Sequence, residues 1–344
     1  KTKGGSVKFT IGFEKEDTGK LHEMWDEIVE TNKWSEGRFT KDFEEKWSVY
    51  NDVDSVAFSS WGGAALAALE FFNIRGKTVL CPSNTFMATP LSAIKAGANV
   101  EFVDCNKNDL CMSLEDLKEK IDKYNPAAVF IVHIGGHIAF EIGEIALLCK
   151  QKGIVLLEDC AHAHGASWNG KKAGTWGDAG IYSFYATKTI STGEGGMLVS
   201  NNAALIEFAK KYRNYGKFEY DVEGLNYRMS EFTAAIGCVQ TERLNDIVAW
   251  KNEYARENLD PLYPNRVKFP DGMISGYYKY IVFDEIEKST GKVYDQLCHE
   301  IMGKDYDLPN AGWIAKNHWC VPLYYKGDVE QSAVLLASAE KEKV

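Results

Sequence analysis

No stretch of about 18 apolar residues occurs in the 344-residue chain, which argues against a membrane-spanning helix. No Gly-x-Gly-x-x-Gly turn follows an early strand, so a nicotinamide dehydrogenase would lack its phosphate loop. Basic residues are outnumbered and scattered: 39 Lys and Arg stand against 49 Asp and Glu, a net charge of −10. That balance argues against a nucleic-acid or anionic-membrane surface, although a single pocket can still be positive. The eight cysteines form no CxxC pair, and several lie inside apolar runs as small buried hydrophobes. Residues 1–13 hold no long apolar leader. A reducing cytoplasm is the expectation.

The chain also lacks repeats and Pro/Ser-rich linkers; apolar runs of strand length alternate instead with amphipathic helical segments. Strands are expected at 78–81, 100–104, 128–134, 154–158, 181–185 and 197–200, and helices at 64–72, 113–123 and 142–153. The run IVLLE at 154–158 does not alternate, as suits a strand buried on both faces. The pattern predicts an α/β fold in two parts. A large domain at 1–245, with an N-terminal helical segment, would hold a mostly parallel sheet flanked by helices. A smaller C-terminal α/β domain at 246–344 would follow a long helix over 230–259, with a strand at 277–283 and a helix at 293–301.

Ligands in such sheets gather at the carboxyl ends of the strands. Asp159 comes just past one buried run, in EDCAHAHGA (158–166), and Lys188 just past another, in SFYATKTISTGEGG (183–196). A buried carboxylate and a lysine facing a common ligand are what pyridoxal phosphate requires. The lysine amine takes its aldehyde, and the carboxylate keeps its ring nitrogen protonated. Gly62 and Gly63, opening a helix, offer backbone N–H donors to a phosphate. Phe86, in PSNTFMATP (82–90), is placed to stack on a pyridine ring.

Singly, each has a plainer reading. A lysine after a strand is usually solvated, an aspartate there usually caps a helix, and a glycine pair is usually a turn. Phe86 alone would be core. Asp159, His162 and His164 together resemble part of a metal site, but no second ligand cluster completes one, so no metal is expected. The combination in this order is what carries weight.

At these residues the chain resembles the DegT-type nucleotide-sugar aminotransferases, of fold-type I. The resemblance runs from Trp34 to about Lys251 and is densest at 158–200 and in GLNYRMSEFTAAIGCVQ (224–240). It implies Lys188 as the residue that carries the cofactor and shuttles protons, and Asp159 as the partner of the pyridine nitrogen. It implies contacts from His162 to the phenolic oxygen and from Ser183 to the phosphate. Asn226 would reach the cofactor of a neighbouring subunit, hence a homodimer. Arg228 and His318 are candidate substrate contacts. The implied activity is amino transfer, with glutamate as donor, to a keto sugar carried on a nucleotide. A sugar dehydratase, cyclitol or aminohydroxybenzoate relative, or a non-catalytic cofactor-binding regulator, are the alternatives. The chain departs from the family at Trp61-Gly62-Gly63, where Asn-Gly-Thr is common, and at Tyr215, where histidine is common.

Overall fold

The structure, a computed structural model, describes residues 9–327. Two amphipathic helices come first, α1 (Lys15–Thr31) and α2 (Arg38–Asn51). Then strand and helix alternate: β1 (Asp54–Phe58), α3 (Trp61–Phe71), β2 (Thr78–Pro82), α4 (Ala88–Lys95), β3 (Asn99–Val103), α5 (Leu114–Tyr124) and β4 (Ala128–Val132). After α6 (Ile142–Lys152) come β5 (Val155–Asp159), β6 (Ala179–Ser183), β7 (Gly196–Ser200), α7 (Ala203–Tyr212) and α8 (Glu231–Tyr254). The seven strands form one sheet in the order β1-β7-β6-β5-β4-β2-β3. Every pair from β6 to β3 is parallel, and only β7 runs against its two neighbours. The mostly parallel sheet with helical flanks is therefore as expected.

Because β7 is antiparallel to both β1 and β6, the ends of β1, β6, β5 and β2 emerge along one edge. Strand β5 sits in the middle, with Asp159 opposite Val132 on one side and Ile181 on the other. Its residues 156–159 are buried, which is why IVLLE shows no alternation.

Two helix ends tie the N-terminal segment to the sheet. Glu231, the first residue of α8, is buried, and its carboxylate accepts from the backbone N–H groups of Phe39 and Thr40 at 2.7 and 3.1 Å. Those groups belong to the first turn of α2 and have no partner within their own helix, so the charge meets the positive end of that helix. Further along, Phe43 and Trp47 of α2 bury their rings against Phe184 and Tyr182.

Past α8, a turn of π-helix (Ala255–Leu259) ends the long helical run expected over 230–259. The helix runs unbroken through position 245 into the C-terminal region. There β8 (Tyr280–Val282) pairs with β9 (Trp319–Val321), and α9 (Cys298–Ile301) and α10 (Pro309–Lys316) precede β9. The strand expected at 277–283 is thus shorter, and the helix expected at 293–301 is confined to its last turn. The Val293 N–H, at the start of the expected helix, donates instead to His318 Nε2 at 2.8 Å, 25 residues along the chain. Residues 328–344 of the expected small domain lie outside the described residues.

Gly237 of α8 faces Phe43, and a Cβ there would stand 1.6 Å from a ring carbon. Helix propensity alone would make Gly237→Ala stabilising by about 1 kcal/mol. Overpacking a filled core costs about 1–3 kcal/mol and should win. Urea unfolding should therefore show a lower midpoint for Gly237→Ala than for the parent chain.

Candidate active site

Neighbouring side chains on a strand point to opposite faces. The consecutive acids that end β5 therefore have different fates. Glu158 is fully buried and accepts from the backbone N–H groups of Gly174, Trp176 and Gly177 at 2.8–2.9 Å, with His133 Nε2 at 2.8 Å. It stands within reach of His133 and Cys160 as a three-ligand grouping. Its oxygens are already committed to holding the 174–177 loop, which makes it a structural anchor.

Asp159 faces the other way. Its Oδ1 accepts from the indole Nε1 of Trp61 at 3.1 Å and from the Ala161 N–H at 3.0 Å. Its Oδ2 accepts from Thr89 Oγ1 at 2.8 Å, and Thr85 Oγ1 stands 3.0 Å behind that hydroxyl. Burial pushes the carboxyl above its ordinary value, while these donors and the Lys188 ammonium pull it back. A carboxylate offers about four lone-pair sites, so one remains on Oδ2.

Lys188 lies five residues past β6 in a partly exposed turn, its N–H donating to the Tyr185 carbonyl at 3.0 Å. Its Nζ stands 4.9 Å from the centre of the Tyr278 ring, and that ring lies 4.2 Å from the imidazole of His162. Lys188 also lines a cleft of about 190 Å³ with Thr187, Ser191, Lys251, Lys279 and Tyr324. Burial, with Lys279 beside it, pushes the Lys251 amine down to about 7.

His162 is buried. The Gly135 N–H donates to its Nδ1 at 3.2 Å, so the neutral ring carries its proton on Nε2, 3.2 Å from the Tyr294 hydroxyl. Burial, then Lys188, push its pKa well below the ordinary value. His164 is turned away from Asp159: its Nε2 donates to the Ser183 carbonyl at 2.7 Å. The two histidines and Asp159 thus serve three separate purposes.

At the start of α3 the two glycines differ. Ser60 caps the helix by accepting from the Gly63 N–H at 3.2 Å, so that donor is already engaged. A Cβ at Gly62 would meet only Ser60 Oγ, at 3.7 Å, whereas one at Gly63 would lie 3.0 Å from the Tyr227 ring. That contact explains glycine at 63 in place of the family's threonine. Ser183 is buried, and its Oγ accepts from the Tyr185 N–H at 3.3 Å. Phe86 is not core: it is 68% exposed, at the loop between β2 and α4.

Three expected residues stand elsewhere. Asn226 is exposed, its Oδ1 accepting from the Arg228 N–H at 3.2 Å. Arg228 donates to Asn214 Oδ1 at 2.6 Å and lines a separate cavity with Glu36 and Arg213. His318 is a correction. It is fully buried, with Nδ1 2.6 Å from the Ile314 carbonyl and Nε2 accepting from Val293, so neither nitrogen is left for a substrate.

Sequence reasoning missed Thr89, Tyr278 and Tyr294. Thr89 lies in the segment PSNTFMATP already singled out for Phe86, three residues on, which is one helical turn. The two tyrosines come from the C-terminal region, where no motif guides the eye.

A match to the DegT/DnrJ/EryC1/StrS aminotransferase family covers residues 15–270. The chain belongs to that family. It is 34% identical over 269 residues to a GDP-perosamine synthase of Escherichia coli O157:H7, covering 74% of this chain and 73% of that one. It is 32% identical over 283 residues to a UDP-4-amino-4,6-dideoxy-N-acetyl-beta-L-altrosamine transaminase of Campylobacter jejuni, covering 78% and 75%. The fold matches the aminotransferase TlmJ of Streptoalloteichus hindustanus with a TM-score of 0.88 at 24% identity, over 97% and 98% of the two chains.

This DegT-family chain is thus an enzyme of the aminotransferase class, whose family cofactor is pyridoxal phosphate. Its donors fit that group: a lysine amine, a buried carboxylate with an open lone pair, a serine hydroxyl and a helix start at Gly62. Among the described residues no helix is long and apolar enough to cross a membrane.

Burial holds His162 neutral and pushes His164 down to about 3. Their ring resonances should show no titration across roughly pH 8 to 5, where an exposed histidine would pass through its midpoint. NMR of the histidine side chains checks this.

Proposed function

We propose that the enzyme transfers an amino group, with glutamate as donor, to a keto sugar carried on a nucleotide. The observation that carries this reading is the placing of the buried Asp159 at the end of β5 and of Lys188 just past the end of its neighbour β6. When bound, pyridoxal phosphate supplies an electron sink for the electrons released at an amine-bearing carbon.

The chain's own residues do the rest. With pyridoxal phosphate bound, Lys188 would be the residue that holds it through its amine, and once released by the donor that amine would be placed to take the proton from the donor's alpha carbon. In the second half it returns a proton on the sugar side. Asp159, buried and held by its donors, would keep the proton on the pyridine nitrogen. The Gly62 backbone and Ser183 would hold the phosphate, and His162, as a neutral imidazole, would serve the phenolic oxygen. Phe86 covers one face of the ring.

The names of the relatives support a nucleotide-linked sugar as acceptor. The cleft beside Lys188, lined also by Lys279 and by the hydroxyls of Thr187, Thr189 and Tyr324, suits an anionic substrate on an otherwise acidic protein. The resemblance implies an active homodimer in which Asn226 reaches the second subunit's cofactor, and the exposure of Asn226 is compatible with that role. The division into residues 1–245 and 246–344, and a cytoplasmic location, belong to the same reading.

The test is an absorbance spectrum of the protein with pyridoxal phosphate, before and after glutamate. The visible band of the lysine-bound cofactor should form and then give way to that of pyridoxamine phosphate. A band that ignores glutamate would reject glutamate as the donor. Lys188→Ala should lose the band and lower turnover by at least the about 10²–10⁴ typical of a positioned acid–base group. Normal transamination by that variant would overturn the assignment.

A further inference from the structure

Trp61 stands where the resemblance to the family leads one to expect asparagine, and its side chain has a definite destination. It opens α3, is 7% exposed, and lies against Phe130 of β4 with ring centres 5.9 Å apart. Phe130 is two residues below Val132, the strand neighbour of Asp159, so the indole backs Asp159 from the core side. Its one polar atom, Nε1, donates to Asp159 Oδ1. A buried indole N–H ordinarily finds a partner, and here it finds the carboxylate assigned to the cofactor.

We propose that Trp61 is a positioning residue for the cofactor: its indole N–H fixes Asp159 so that the open lone pair on Oδ2 is presented to the pyridine nitrogen. The inference rests on the pyridoxal-phosphate reading above. With Trp61 and Ala161 on Oδ1 and Thr89 on Oδ2, the carboxylate is gripped by donors from three segments and cannot turn without breaking at least one. Each donor also stabilises the charged form against burial. The ring serves as a wall and the N–H as the clamp.

Two substitutions separate wall from clamp. Trp61→Phe keeps an aromatic ring and removes the donor. Trp61→His superposes an imidazole on the five-membered half of the indole, which sets Nε2–H where Nε1–H stands. The readout is the affinity of the apoprotein for pyridoxal phosphate, from titration of the visible band, beside the unfolding temperature of each apoprotein. Trp61→Phe should bind about ten-fold more weakly, the size expected for a lost hydrogen bond to an ion, and Trp61→His should recover much of the loss. Unchanged affinity in Trp61→Phe, or equal loss in both variants, overturns the clamp.

A second measurement needs no variant. In wild-type protein with 15N-labelled tryptophan, one of the nine indole N–H resonances should shift as pyridoxal phosphate is added, and no response would overturn the inference. Wild-type protein that forms no lysine-bound band would remove the cofactor reading itself, and this inference with it. A wild-type band with an unaffected Trp61→Phe removes the inference alone.

Discussion

A carboxylate sealed inside a protein must be answered by donors, and much of the catalytic edge is arranged around how Asp159 is answered. Burial alone would leave it protonated and unable to hold a proton on a cofactor. The chain meets this with an indole from the start of α3, a hydroxyl from α4, a backbone N–H two residues on and the ammonium of Lys188. These come from different crossovers of one sheet. They converge because β1, β2, β5 and β6 end along the same edge.

The adjacent Glu158 shows how a strand divides labour between neighbours. The two carboxylates differ by one position and so by one face of the sheet. One is consumed by the backbone of a loop that packs under the sheet, the other is left with a vacant lone pair. The same economy appears in the histidines: His133 and His164 serve the scaffold, while His162 meets Lys188 through the Tyr278 ring. Composition offers no means of sorting such pairs.

Much of the architecture was legible because a parallel sheet writes itself as apolar runs between amphipathic helices. Boundaries slipped where small residues carry the strand. Ala179 and Gly180 begin β6 by pairing with Leu157 and Glu158, although neither looks like a strand former. The run expected to reach 134 stops at Val132, two residues short of a turn containing Gly135 at positive φ. Of the proposed site, Asp159, Lys188 and Gly62 stood out by position relative to strands and a helix start, whereas His162 and Ser183 received their roles only from the family resemblance. His318 was misread because its two partners, Val293 and Ile314, lie in segments whose meeting no local pattern announces.

The sequence by itself determined the sheet, the order of its strands along the chain and the placing of a lysine and an acid at the strands' carboxyl ends. These follow from residue periodicity and from motifs a few residues long, which are local properties. Only the tertiary structure decided which acid is free, that Gly63 packs tightly against the Tyr227 ring, and that the indole of Trp61 is spent on Asp159. Those facts depend on contacts between residues 98, 70 or 164 positions apart, as with Trp61, Thr89 and Tyr227. Packing sets such distances, and packing is a property of the whole chain.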